Sequence, residues 1–168
     1  MSKDKKMALA AAEERRITTG EVRFEKREGQ EAGGTISGYA AMFNRETQIG
    51  SGPWGFIEVI EPGAFEDVLQ DDVRALFNHD PNMVLARTKA GTLKLSSDNT
   101  GLRYEYETPN VSYAKDLEEN IRLGNVSQSS FAFVVGEERW VWNEEDPSKD
   151  KRIISKFKSL RDVSPVTY

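Results

Sequence analysis

The sequence contains one histidine, His79, and no cysteine. Imidazole acid–base chemistry near neutral pH therefore falls to His79. Thiol nucleophiles, disulfides, zinc–thiolate sites and iron–sulfur clusters are excluded, as is a multi-histidine metal site within one chain. The remaining nucleophiles are hydroxyls, lysines and carboxylates. The richest hydroxyl segment is Gly124-Asn125-Val126-Ser127-Gln128-Ser129-Ser130-Phe131-Ala132-Phe133, where three serines enter an apolar run. A further candidate is Asp162, in the segment Ser159-Leu160-Arg161-Asp162-Val163-Ser164-Pro165-Val166-Thr167-Tyr168. Arg161 beside it could pair with a carboxylate or help hold an oxyanion. A serine, a histidine and an acid are the parts of a nucleophilic triad. Taken singly, each has an ordinary structural reading: a strand serine bonded to backbone, a histidine at a strand end, an exposed aspartate.

The elements that must position these residues are mostly strands. If 127–135 is a strand, Ser129, Phe131, Phe133 and Val135 share one face and Ser130, Ala132 and Val134 the other. The aromatic face belongs in the core, and the small side chains of Ser130 and Ala132 leave room for a substrate chain. Val73 to Phe77 reads as a strand that ends in Asn78-His79-Asp80-Pro81. A regular strand would put His79 on the face of Val73, Ala75 and Phe77, with Asp80 pointing away unless the chain turns there. Period-2 patterns also predict strands around Val22–Phe24, Thr35–Phe43, Phe56–Ile60, Val84–Arg87, Thr92–Leu95, Leu102–Glu107, Glu138–Trp142, Arg152–Phe157 and Val163–Thr167. Ala64–Leu69 could make one helical turn, and Asn143–Lys151 reads as a mobile hairpin tip. One clear helix is expected from Ser112 to Leu123: Ala114, Leu117 and Ile121 form an apolar stripe, and Gly124 supplies a stop. About nine or ten short strands with one solid helix favour a mainly β, α+β fold, a closed or nearly closed β-barrel surrounded by helices.

The 168 residues suit one domain, and 38% hydrophobic residues suffice for one modest core. Residues 1–20 read as a flexible or helical tail and residues 21–168 as the domain. The formal net charge of −5 argues against a general nucleic-acid binder, which needs a basic face. The apolar run Met7–Ala12 is too short for a secretory segment, and no stretch approaches the ~18 apolar residues of a membrane span. A soluble, intracellular protein is expected. A carbohydrate-binding reading on Trp54, Trp140 and Trp142 is the weaker alternative, since paired strand tryptophans more often pack.

Several short segments together resemble a known family. They are Ile36-Ser37-Gly38-Tyr39-Ala40-Ala41-Met42-Phe43, Glu61-Pro62-Gly63-Ala64-Phe65, Phe77-Asn78-His79-Asp80, Val126 to Phe133, and Asp162-Val163-Ser164-Pro165-Val166-Thr167-Tyr168. In order and spacing they resemble the head maturation (prohead) proteases of tailed bacteriophages of the HK97 type, from about Val22 to the last residue. The resemblance implies a serine endopeptidase with a fold like that of the herpesvirus assemblins. It implies His79 as general base, Ser130 as nucleophile and Asp162 as the acid, with no metal or cofactor. Position 129 is Ser where the family more often has Met, so Ser129 stands as the alternative nucleophile. The chain also stops at Tyr168, where the family usually continues. The implied substrates are the major capsid protein or its scaffold region, and the protease itself. The implied location is the immature procapsid in the host cytoplasm, and a homodimer is a possible active form. The competing expectation is a noncatalytic capsid-assembly module on the same scaffold.

Overall fold

The computed structural model describes residues 3–29 and 33–168. The chain opens with a short helix α1 (Lys3–Met7) and a 3-10 turn at Ala8–Ala11, followed by strands β1 (Glu14–Thr18), β2 (Arg23–Lys26), β3 (Gly34–Met42), β4 (Thr47–Ile49) and β5 (Phe56–Ile60). After a 3-10 turn at Glu66–Val68 come β6 (Arg74–Leu76), β7 (Val84–Arg87), β8 (Leu93–Ser97) and β9 (Gly101–Glu107). Helix α2 (Ser112–Arg122) leads to two long strands, β10 (Gln128–Val141) and β11 (Lys151–Val166). No helix among the described residues is long and apolar enough to cross a membrane.

The strands form two sheets. One runs β1-β10-β11-β5-β4, with β6 pairing β11 and β7; the other runs β2-β3-β9-β8. This corrects the barrel expectation: the sheets pack against each other and do not close. Closure would need the outer strands of the second sheet, β2 and β8, to pair with the first, and among the described residues they pair only with β3 and β9. Isolated bonds bridge the two, such as Val22 N–H to the Ser127 carbonyl at 3.3 Å and Thr18 Oγ1 to the Ala40 carbonyl at 2.5 Å.

Between the sheets lies an aromatic core. Phe65 stacks on Phe157 with centroids 4.3 Å apart, and Phe131 stacks on Phe133 at 4.6 Å. Phe131 and Phe133 point inward, as the alternation of their segment requires. From the second sheet, Ile36, Leu102, Tyr104 and Tyr106 reach the same core. Each such side chain contributes roughly 1.5–3 kcal/mol by leaving water. Helix α2 buries the expected stripe of Ala114, Leu117 and Ile121, and Gly124, at φ 78°, ends it in the left-handed region open to glycine.

Three local expectations change. The two strands foreseen in 127–142 are one, β10, because irregularities at Val134–Glu138 absorb Gly136 without breaking the pairing. The two foreseen in 152–167 likewise merge into β11. The segment expected as a flexible or helical tail is helical over Lys3–Met7 and then supplies β1, which pairs antiparallel with β10 over Glu14–Thr18. Polar contacts hold it there. The Lys6 ammonium is fully buried and donates to the Gly55 carbonyl (2.9 Å), the Pro147 carbonyl (2.8 Å) and Asp150 Oδ2 (2.9 Å). Asp150 also accepts from Asn143 N–H at 2.8 Å, so the expected mobile tip between β10 and β11 is tied at its base.

Candidate active site

Ser130 sits in the straight first part of β10, paired with Ser164 of β11 on one side and Ile17 of β1 on the other. Asp162 lies two residues from Ser164, opposite Ala132. Between Ala132 and Phe133 the partner position jumps from Asp162 to Leu160, so Arg161 is an extra residue bulged out of the ladder. Such bulges re-aim neighbouring side chains. Here Asp162 is buried while the Arg161 side chain is 61% exposed, with Nε 3.8 Å from Glu13 Oε2. Arg161 therefore stands at the surface, and its proposed help with an oxyanion has no geometric support.

His79 arrives from β6, which runs parallel to the end of β11. The strand stops at Leu76, and Asn78 and His79 both adopt left-handed backbone, at φ 53° and 57°. Two consecutive non-glycine residues in this region carry a strain of order 1–3 kcal/mol each, so the surroundings must hold them. Asn78 N–H donates to the Pro165 carbonyl at 3.0 Å. Its side-chain Oδ1 accepts from Thr167 N–H at 2.8 Å. The expected regular-strand placement of His79 thus fails, because the chain turns at Asn78. Asp80 does not orient the imidazole; its Oδ1 accepts from Asn82 N–H at 2.8 Å.

The turn brings three sequence candidates into one line. His79 Nδ1 lies 2.5 Å from Asp162 Oδ1, and His79 Nε2 lies 2.6 Å from Ser130 Oγ. With Asp162 an acceptor only, Nδ1 carries the hydrogen and Nε2 accepts from the serine hydroxyl, a tautomer assigned from these partners. The His79 and Asp162 side chains are each 10% exposed. That limits competition from water and strengthens the hydrogen bond between them. A nucleophile hydrogen-bonded to a base that is itself oriented by an acid is the arrangement that activates a serine.

Ser129 goes elsewhere. Its hydroxyl is fully buried against Tyr104 OH at 2.7 Å, on the face toward the second sheet. A side chain at Gly38 would meet that pair: a Cβ there would lie 2.9 Å from Tyr104 OH and 3.2 Å from Ser129 Oγ. Burial pushes the Tyr104 phenol well above its usual range, although the bond to Ser129 pulls the other way.

One residue at the site escaped the sequence reading. Ser164, fully buried, donates from Oγ to Asp162 Oδ1 at 2.7 Å. The signal was present, because Asp162 and Ser164 are two apart on a strand and so share a face. It fixes the carboxylate that fixes the imidazole.

β1 is locked by a buried ion cluster. The Arg152 guanidinium is completely buried and reaches Glu14 (2.8 and 2.9 Å), Glu58 (3.1 Å) and Glu138 (2.6 Å). Arg16 bridges Glu58 at 2.8 Å and Glu14 at 2.5 Å. Burial alone would pull the Arg152 guanidinium down, but Glu14, then Glu58 and Glu138, outweigh it and hold it above the usual arginine range. Trp140 and Trp142 stack at 5.1 Å nearby, with Phe56 edge-on to Trp140, so this pair packs within the fold.

The sequence pattern of the family described as caudovirus prohead serine protease matches residues 20–168. Among solved structures, that of the bacteriophage T4 capsid assembly protease, gp21, is similar in fold. It is 14% identical, with a TM-score of 0.53 over 92% of this chain and 97% of that one. No curated protein sequence matches the chain.

Proposed function

This chain belongs to the caudovirus prohead serine protease family, and on that premise we propose that it is a serine endopeptidase of procapsid maturation. Ser130 is the nucleophile, His79 the general base and Asp162 the orienting acid. The substrates are the major capsid protein or its scaffold region, and the protease itself, cut inside the immature procapsid of the infected host. The observation that carries this reading is the unbroken line from Ser130 Oγ through both ring nitrogens of His79 to Asp162.

The steps follow from the partners of each atom. Ser130 Oγ forms a bond to the scissile carbonyl carbon while its proton passes to His79 Nε2. Asp162, held by Ser164, stabilises the imidazolium so formed. As the tetrahedral intermediate collapses, the carbon–nitrogen bond breaks and His79 returns the proton to the leaving amine. Water, deprotonated by His79, then adds to the acyl carbon; the bond from that carbon to Ser130 Oγ breaks and His79 returns the proton to Oγ.

The deciding experiment co-expresses the chain with the capsid protein of the same phage and follows the capsid protein's mass. Wild type shortens it, and Ser130→Ala and His79→Ala leave it whole. Equal cleavage by wild type and Ser130→Ala rejects the nucleophile. Intact capsid protein in every case favours the noncatalytic assembly module.

A further inference from the structure

We propose that β1 forms one wall of the substrate cleft and that Ile17 selects an apolar side chain on the acyl side of the scissile bond; this rests on the protease reading above. The first observation is the register. Ile17 is the direct cross-strand partner of Ser130. Directly opposite residues share a face, with Cβ atoms ~4.5–5.5 Å apart. A chain attacked by Ser130 Oγ therefore lies within contact of Ile17.

The second is that β1 is patterned the wrong way round for a covering strand. A half-buried strand turns apolar residues inward and polar ones to solvent. Along β1 the inward positions are Glu14, Arg16 and Thr18, while Ile17, its one apolar residue, is 48% exposed. A slip of one residue would bury Ile17. What prevents it is the ion cluster of Glu14 and Arg16 with Arg152 and Glu58, together with the bond from Thr18 Oγ1 to the Ala40 carbonyl. The buried polar groups hold an isoleucine on the nucleophile's face.

The third is direction. His79 approaches Ser130 from the β11 side, and the leaving amine must lie near His79 Nε2 to receive its proton. The acyl part of the substrate then extends toward the opposite edge of β10, which is β1. The residue it presents there meets an isoleucine side chain, so an apolar residue is favoured and a charged one is disfavoured by desolvation.

The test compares wild type, Ile17→Leu and Ile17→Asp in two assays. A small fluorophosphonate probe reports the reactivity of Ser130 without requiring a substrate side chain. Sequencing the products from a proteome-derived peptide library reports preference at each position around the cut. The labelling rate gives the reactivity of Ser130 in each protein, and peptide cleavage is read relative to it. Wild type and Ile17→Leu should share enrichment for an apolar residue on the acyl side of the cut. Ile17→Asp should lose that enrichment, with kcat/KM for such peptides falling about tenfold or more, the scale on which an apolar pocket discriminates. Labelling with no apolar enrichment in wild type, or identical profiles for wild type and Ile17→Asp, overturns the inference while leaving the protease reading intact. Wild type that neither labels nor cuts overturns the protease reading itself.

Discussion

Replacing Arg152 with Met should destabilise this protein more than any surface change. The Arg152 side chain has no solvent exposure and is surrounded by Glu14, Glu58 and Glu138. Among the described residues the other cation in contact is Arg16. Two positive charges thus face three negative ones, and after Arg152→Met one positive charge faces three. Removing one partner from a buried ion cluster costs about 3–5 kcal/mol, because the charges left behind remain desolvated and unpaired. That is a large share of the roughly 5–15 kcal/mol that holds a domain folded. At this chain length each kcal/mol shifts Tm by about 2–4 °C, so Tm should fall by about 6–20 °C, read by circular dichroism or calorimetry. Arg152→Lys should lose most of the same stability, since one ammonium cannot reproduce the forked contacts to three carboxylates. Adding Glu14→Gln and Glu138→Gln to Arg152→Met leaves Arg16 paired with Glu58 and should restore a good part of the loss. A Tm drop under about 2 °C for Arg152→Met, or no recovery in the triple variant, refutes the account of the cluster as mutual charge compensation.

Four further outcomes follow from the site. Asp162→Asn should lower kcat by about 10⁴ with little change in KM, because an amide favours the wrong imidazole tautomer; a loss under tenfold in steady-state peptide cleavage would contradict the role given to Asp162. Ser164→Ala removes one hydrogen bond to that carboxylate, worth about 1.5–3 kcal/mol, so kcat should fall roughly tenfold or more while KM stays near the wild-type value. Ser129→Ala should leave kcat/KM within a factor of about three and cost about 1 kcal/mol of stability, since its hydroxyl contacts Tyr104 and not His79; loss of cleavage on this change would move the nucleophile to Ser129. Asn78→Val puts a β-branched residue at φ 53° and deletes the bonds to Thr167; it should lower Tm and slow fluorophosphonate labelling of Ser130, whereas Asn78→Gly should retain much of the labelling rate.

Composition alone confined the chemistry. With one histidine and no cysteine, any imidazole base had to be His79 and any nucleophile had to be something other than a thiol. Local patterning was also sufficient for α2, for the inward turn of Phe131 and Phe133, and for most strand positions, because those depend on periodicity within a few residues. Ser130 could be preferred over Ser129 from the same alternation, since adjacent strand residues face opposite ways. What depends on distant pairing was out of reach. Whether the sheets close into a barrel depends on which edges find partners, and β2 and β8, the outer strands of the second sheet, pair with no strand of the first. The approach of His79 to Ser130 depends on a left-handed turn at Asn78 that the C-terminal strand holds in place, and no propensity of Asn78-His79 encodes that partner. The strand character of Glu14–Thr18 was hidden for a related reason. Its polar residues face inward and its isoleucine faces out, so its pattern becomes intelligible only with Arg152 and Glu58 beside it. The sequence alone therefore determined which groups could act. The tertiary structure decided which of them meet, because a triad and a buried ion cluster are built from long-range contacts whose geometry no local segment contains.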